Sequence, residues 1–199
     1  MDGGLPADAA AGDDLTSKAR IRNAALELHA TKGSANTTLR DVAAAAGVTS
    51  GLVVHHFGNK DGLRNAVQRY VVDQFRRAVD SVPPVGTAEQ IGEARDRAVA
   101  RMWEDNPIFV RYLRRAVLED TGESELLDLL ADYTFGQLQE LRSAGIASSA
   151  QPAQTQAVGI LLRELGPRIL KPLVDHFWVR LNTDGSDAEP PKLEVRLHD

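Results

Sequence analysis

The side chains best placed to do chemistry form a basic cluster between residues 16 and 65. This segment holds seven basic residues against three acidic ones, a net charge of +4. Residues 1–15 hold four acidic residues and no base, and residues 66–199 have a net charge of −5. A basic segment joined to an acidic body indicates a polyanionic partner such as nucleic acid. The basic residues are Lys18, Arg20, Arg22, Lys32, Arg40, Lys60 and Arg64.

The same sequence offers little for catalysis. No two of its five histidines stand four residues apart, and adjacent side chains on a helix project about 100° from each other, so His55 and His56 cannot share a metal ion. The absence of cysteine excludes disulfides and thiolate chemistry, and the common nucleophile and phosphate-loop motifs are missing. We expect no enzyme, no metal site and no cofactor. The histidines are His29, His55, His56, His176 and His198.

Helical spacing predicts a first helix that runs from the caps at Asp13–Thr16 to Lys32-Gly33. Three further capping residues then predict the starts of a second, a third and a fourth helix. Gly47 separates the second helix from the third, which must end near Phe57-Gly58. Two helices joined by a tight glycine turn, the second opened by a hydroxyl cap, form the helix-turn-helix pattern. Its second helix can enter a major groove while helix N-termini direct N–H groups at phosphates. The three capping residues are Thr38, Thr49 and Asn59.

Beyond a linker at residues 81–87, hydrophobic spacing predicts further helices, which makes the fold class all-α. We expect helices at about 88–104, 108–119, 123–142 and 153–165, with breaks at Thr121-Gly122 and Gly166-Pro167, and a last short helix after Pro172. The polar tail from residue 182 contains the alternating segment Leu193–His198, which has no evident partner strand and is expected to be loose. The N-terminus has no secretory pattern and no run is long enough to span a bilayer, so we expect a cytoplasmic protein.

The stretch Thr38–Leu63 resembles the DNA-binding module of the tetracycline-repressor (TetR) family of transcription regulators. The resemblance runs from about Ala19 to Val67. It rests on the Thr-x-x-x-Val-Ala helix start, Ala-Gly-Val-Thr-x-Gly, His-Phe, and the Lys-x-x-Leu that opens the fourth helix. One residue departs from the family pattern: Val54 stands where a tyrosine commonly touches a phosphate.

The resemblance implies roles for residues of the module. Arg40 would reach a base edge, and Thr38, Thr49 and Lys60 would hold phosphates. Ser50, Leu52 and His55 would lie on or near the recognition surface. The simpler alternatives are that both threonines act only as caps and that Arg40 is a solvated surface residue. His56 and Phe57 are read as structural.

For the body of the chain, the resemblance implies a ligand cavity and a dimer interface, although aromatic residues at helical spacing are also typical of an ordinary core. Arg163 could pair with an acidic ligand, with Glu164, or with solvent. The candidate cavity residues are Trp103, Phe109, Tyr112, Leu113, Leu130 and Tyr133. The candidate dimer residues are Leu161, Leu162, Leu165, Ile169, Leu173, Phe177 and Trp178.

The sequence therefore predicts four segments. They are an acidic flexible leader (1–15), a helix-turn-helix DNA-binding domain (16–62), a helical ligand-binding and dimerisation domain (63–181) and a polar tail (182–199). The implied function is a repressor that binds a pseudo-palindromic DNA operator as a homodimer and is released by a small, apolar effector. The alternative is a helical dimer that binds a small molecule or a protein and carries a degenerate DNA-binding module.

Overall fold

The computed structural model describes residues 7–118, 125–183, 189–195 and 197, with backbone alone for residues 7–15. These described residues form eight helices and no strand, so the all-α prediction is confirmed. The predicted break at Thr121-Gly122 lies outside them. The helices are α1 (Ala7–Lys32), α2 (Leu39–Ala46), α3 (Ser50–Phe57), α4 (Lys60–Asp80), α5 (Ala88–Asp105), α6 (Pro107–Leu118), α7 (Glu125–Ser143) and α8 (Ala153–Leu181).

The first helix begins earlier than its caps predicted. Helix α1 starts at Ala7, so residues 7–15 of the predicted leader are helical, and residues 1–6 lie outside the described residues. Four of the five residues from Ala7 to Ala11 are alanine, the best helix former, and this propensity extends the helix beyond the Asp13–Thr16 caps.

The last helix is continuous where the sequence predicted a break. Helix α8 passes through Gly166-Pro167 and Pro172 without interruption. A proline removes one backbone N–H from a helix but does not end it when contacts hold both flanks. Here Trp103 provides such contacts, because its Nε1 donates to Glu164 Oε1 at 3.0 Å and the Arg168 guanidinium lies 5.6 Å from its ring centroid.

The polar tail is not loose throughout. The described part of the alternating segment forms no strand, but Leu193 and Val195 are half-buried and Glu194 is exposed. Val195 and Leu197 lie against α8 at Gly166 and Gly159. The alternation therefore reflects packing on a helix rather than pairing in a sheet. Residues 184–188, Arg196, His198 and Asp199 are outside the described residues.

The chain divides into two compact units. The first contains residues 1–73 and 111–126, and the second contains residues 74–110 and 127–199. The division differs from the sequence-based boundary between residues 62 and 63, because it falls later in α4 and because residues 111–126 join the first unit.

Contacts between α1 and α6 explain why residues 111–126 belong to the first unit. Arg115 Nη2 donates to the Lys32 carbonyl at 2.9 Å, and the rings of His29 and Tyr112 stack with centroids 6.4 Å apart. The core of this unit includes Ile21, Val42, Val53, Leu63 and Val67, each at most 1% exposed.

Candidate nucleic-acid interface

The turn between α2 and α3 has the geometry that the sequence predicted. Thr38 closes a capping box with Asp41: the Asp41 N–H donates to Thr38 Oγ1 at 3.1 Å, and the Thr38 N–H donates to Asp41 Oδ2 at 2.9 Å. Gly47 ends α2 with a φ of 65°, in the left-handed region that favours glycine. Thr49 then caps α3 by accepting the Leu52 N–H at 3.3 Å.

The two helices pack through small apolar residues. Val42, Ala43 and Ala46 of α2 and Val53 of α3 are buried, as predicted. A further contact was missed by sequence reasoning, which counted Arg20 only as a charge. Arg20 Nη2 of α1 donates to the carbonyls of Ala46 at 2.7 Å and Gly47 at 3.3 Å, which fixes the turn to the first helix.

The junction between α3 and α4 is equally constrained. Asn59 caps α4 by accepting the Gly62 N–H at 2.8 Å, as predicted. A Cβ added at Gly62 would lie 2.1 Å from the Phe57 carbonyl oxygen, so only glycine fits there. Lys60 Nζ donates to the Ala35 carbonyl at 2.6 Å, which connects the start of α4 to the α1–α2 loop.

One face of α3 is open to solvent. Ser50, Gly51, Val54 and His55 are exposed and fall within one arc of the helix, opposite the buried Val53. Leu52, a predicted recognition residue, is half-buried at the edge of this arc. Val54 stands near the middle of the arc with 48% of its surface exposed, so this position offers an apolar side chain where the family pattern has a phenol.

Arg40 on α2, the first helix of the helix-turn-helix pair, is also exposed. Within the described part of the chain, it has no ion-pair or hydrogen-bond partner, unlike Arg20, Arg64 and Arg69. Its guanidinium is therefore available to an external acceptor, either a guanine edge or a phosphate.

The two threonine caps differ in what they can still donate. The Thr38 hydroxyl donates to Asp41 Oδ2 at 2.7 Å, and these hydrogen bonds hold the pKa of Asp41 below its usual range. The Thr49 hydroxyl only accepts, from the Leu52 N–H, so its own proton remains available. Thr49 thus suits a phosphate contact better than Thr38 does.

Comparison with known proteins agrees with this geometry. Residues 21–67 match the family model described as "Bacterial regulatory proteins, tetR family". The HTH-type transcriptional regulator BetI of Burkholderia thailandensis is 40% identical over 166 residues, which cover 82% of this chain and 80% of that protein. The chain belongs to the tetR family of bacterial regulatory proteins.

Other relatives and a solved structure extend the comparison. The HTH-type transcriptional repressor Rv3405c of Mycobacterium tuberculosis is 39% identical over 83 residues, or 42% of this chain. The chain spans 29% to 44% of the length of the first curated relatives that it matches. A tetR-family regulator from Shewanella sp. PV-4 has the same fold, with a TM-score of 0.67, 20% identity, and coverage of 83% of this chain and 90% of that one.

In this tetR-family chain, the candidate cavity residues are mostly buried, and they do not all belong to the same compact unit. Tyr112 and Leu113 belong to the first unit, whereas Trp103, Phe109, Leu130 and Tyr133 belong to the second.

Tyr133 is half-buried and already has partners. Its hydroxyl donates to Asp80 Oδ1 at 2.7 Å, and its ring meets Phe75 edge-on with centroids 6.0 Å apart. Burial and the neighbouring Asp80 carboxylate raise the pKa of Tyr133. The phenol is therefore neutral and acts as a donor.

The candidate dimer residues of α8 divide into three groups. Leu165 is buried, so its inclusion is corrected: it belongs to the core of its own chain. Leu161, Ile169 and Trp178 are half-buried. Leu162, Leu173 and Phe177 are 40%, 53% and 57% exposed and form an apolar surface.

Arg163 pairs with a carboxylate at the surface, as expected, although the partner is Asp96 rather than Glu164. Arg163 Nη2 pairs with Asp96 Oδ1 at 3.6 Å on the surface, while Glu164 pairs with Arg168 at 2.9 Å and accepts from Trp103. Burial raises the pKa of Glu164.

Among the residues that the structure describes, no helix is both long and apolar enough to cross a membrane. Those same residues contain no group of three or more potential metal ligands.

Proposed function

We propose that the protein is a transcriptional repressor that binds a pseudo-palindromic DNA operator as a homodimer and is released by a small apolar effector. The observation that carries the proposal is the exposed arc of α3, whose two ends are constrained by the contacts of Arg20 and Gly62, together with the exposed Arg40 on α2. Membership of a family of regulatory proteins, and a relative named as a repressor, support the same function.

In the proposed complex, α3 lies in the major groove. Ser50 and His55 meet base edges, Arg40 reaches a base edge from α2, and Thr49 and Lys60 hold phosphates, which would also benefit from the positive helix N-termini. The second module of the dimer would lie about 34–36 Å away, one turn of DNA along.

Val54 distinguishes the proposed interface from the family pattern, which has a tyrosine at this position. An exposed aliphatic side chain in the middle of the recognition arc has no hydrogen bond to offer, but it suits the methyl group of thymine. The chain would then replace a non-specific phosphate contact by a base contact. We expect operators with thymine opposite this position to be preferred.

The effector would act through α4, which is one continuous helix although the division into units falls within it, between Asp73 and Gln74. A molecule bound among the aromatic residues of the second unit, such as Trp103 and Phe109, would shift α4 and change the spacing of the two modules. Such a ligand can only shift the equilibrium by its difference in affinity for the two arrangements.

Selection of bound duplexes from a random DNA pool, followed by a titration of the selected site, tests the proposal. We expect an inverted repeat, affinity that falls steeply with salt, and a loss of affinity of about 5- to 150-fold for Arg40→Ala, equivalent to about 1–3 kcal/mol. Arg101→Ala is the matched control, because it removes the same charge from an exposed position on α5.

Two results would contradict the proposal at different levels. If Arg40→Ala binds the selected site as tightly as the parent, Arg40 does not lie in the groove. If folded protein enriches no sequence even at low salt, the module has no operator, and the alternative of a small-molecule or protein-binding dimer is favoured instead.

A further inference from the structure

Helix α8 carries an apolar strip that its own chain covers only in part. Leu162, Leu173, Phe177 and Leu170 are all exposed, between 39% and 57%. At 100° per residue they fall within an arc of about 80° on one side of the helix. An exposed apolar surface of this kind marks an interaction site.

The C-terminal segment lies at the N-terminal end of this strip, on its centre line. Gly166 falls at the centre of the arc, and a Cβ added there would be 2.8 Å from Val195 Cγ2. A Cβ added at Gly159, two turns earlier in α8, would lie 3.8 Å from Leu197 Cδ1. The missing side chains of these two glycines thus make room for Val195 and Leu197. Since Val195 meets the later glycine, the segment runs antiparallel to the helix.

We propose that the C-terminal segment, described at residues 193–195 and 197, competes with a second copy of the chain for the α8 strip. This inference rests on the self-association that is part of the proposed function. Packed helices lie about 8–10 Å apart, which leaves no room for another backbone between them. Because the segment lies on the centre line of the arc at Gly166, it must leave before a helix of a second chain can pack along the whole strip. The tail therefore limits how much of the protein is dimeric.

The alternation of the tail fits this role. Leu193, Val195 and Leu197 place apolar side chains at every second position, and Leu193 and Val195 are half-buried while Glu194 is exposed. A short apolar segment of this kind buries little area, so it binds weakly and can be displaced by a larger interface. A tightly bound tail would abolish dimerisation instead of tuning it.

Sedimentation velocity over a range of protein concentrations tests the proposal on the full chain and on a chain that ends at Lys192. If the segment is docked in about nine of ten molecules, its removal lowers the apparent dimer dissociation constant about a hundredfold, because both copies must release the segment before they associate. Adding Leu173→Asp to the shortened chain should abolish this gain in dimer affinity, since the substitution places a charge in the strip.

A point variant distinguishes the effect of losing the Val195 contact from other effects of removing seven residues. Val195→Asp introduces a charge that cannot lie on the apolar strip, and it leaves α8 unchanged, so it should strengthen dimerisation as the truncation does. Val179→Asp is the matched control, because Val179 is 79% exposed and lies about 140° around α8 from Gly166. Its dimer dissociation constant should equal that of the parent.

Unchanged or weaker dimerisation after truncation would overturn the competition, as would a gain that survives Leu173→Asp. If neither chain associates at any concentration, both the competition and the dimeric part of the proposed function fail. If the shortened chain forms a tighter dimer yet selects no DNA, the competition stands and the repressor proposal fails.

Discussion

The helix-turn-helix region and the α5–α8 region are both helical, but they are held together in different ways. In the first, Thr38, Gly47, Thr49 and Asn59 each fix a helix end through a hydrogen bond or backbone conformation within a few residues. In the second, Trp103 of α5 is bound to Glu164 of α8, 61 residues away along the chain. Local signals thus set the first region, and contacts between distant segments set the second.

This contrast explains where substitutions should matter most. A change at a local constraint should alter one turn and the surface beside it. A change at a distant contact should alter how the chain responds to conditions such as pH without altering the interface for DNA.

The largest effect is expected from Gly62→Ala. The new Cβ would lie 2.1 Å from the Phe57 carbonyl oxygen, so α3 must shift relative to α4, at a cost of about 1–3 kcal/mol in the free energy of unfolding. DNA binding should be lost with it. Chemical denaturation measures the first effect and titration of the selected operator measures the second.

Gly92→Ala is the control for this substitution. Gly92 also lies inside a helix, but an added Cβ meets nothing within 4 Å. This variant should gain about 0.5–1 kcal/mol from helix propensity. Equal stability changes for the two variants would contradict the close approach of α3 and α4.

An intermediate effect is expected from Thr38→Ala. Loss of the N-cap should cost about 1 kcal/mol near neutral pH. The cap lowers the pKa of Asp41 below its usual 3.8, so its contribution to stability is present above that value and is lost as pH falls through the folded-state pKa. The difference between variant and parent, measured by denaturation at several pH values, should therefore shrink in acid.

Thr49→Ala makes the matched comparison. It removes a cap of the same kind that has no carboxylate partner, so its cost should not depend on pH in this range. Its effect on DNA affinity should be the larger of the two, because the Thr49 proton is available to a phosphate. A larger loss of affinity for Thr38→Ala would reverse that assignment.

The smallest effect at neutral pH, but the most informative about the second region, is expected from Glu164→Gln. Burial raises the pKa of Glu164 above its usual 4.5, so the folded chain binds this proton more tightly than the unfolded chain. The contribution of this bound proton to the free energy of unfolding is complete below the unfolded-state pKa. It is lost as pH rises through the folded-state pKa. Glutamine keeps an acceptor for Trp103 Nε1, although it loses the charge facing Arg168.

The stability of the variant relative to the parent should therefore increase as pH rises through this window, as thermal unfolding at several pH values would measure. Arg163→Ala is the control. Its pair with Asp96 is 3.6 Å long and both side chains are more than half exposed, so its removal should change little. A flat difference between Glu164→Gln and parent would mean that the carboxyl is not buried in solution.

Much of the first region could be predicted because its signals are local. The caps Thr38, Thr49 and Asn59, the break at Gly47 and the buried set around Val53 follow from residue type and spacing. The hydrogen bonds from Arg20 to the turn could not be predicted. Their acceptors are backbone carbonyls 26 and 27 residues away, and every residue has such a carbonyl.

By itself, the sequence determined the helical class, the position of each helix end in the module, and the residues that a recognition helix leaves exposed. These features depend on hydrogen bonds and periodicities that span only a few residues. Propensity at Ala7 and tertiary contacts around Pro167 overrode the local signals elsewhere.

The tertiary structure alone decided that α8 is one helix, that Leu165 faces its own core, and that the tail lies on Gly166. Each of these features requires two segments to meet across a long stretch of chain. The free energy of such a contact depends on the shape of both partners, and residue spacing within one segment does not encode it.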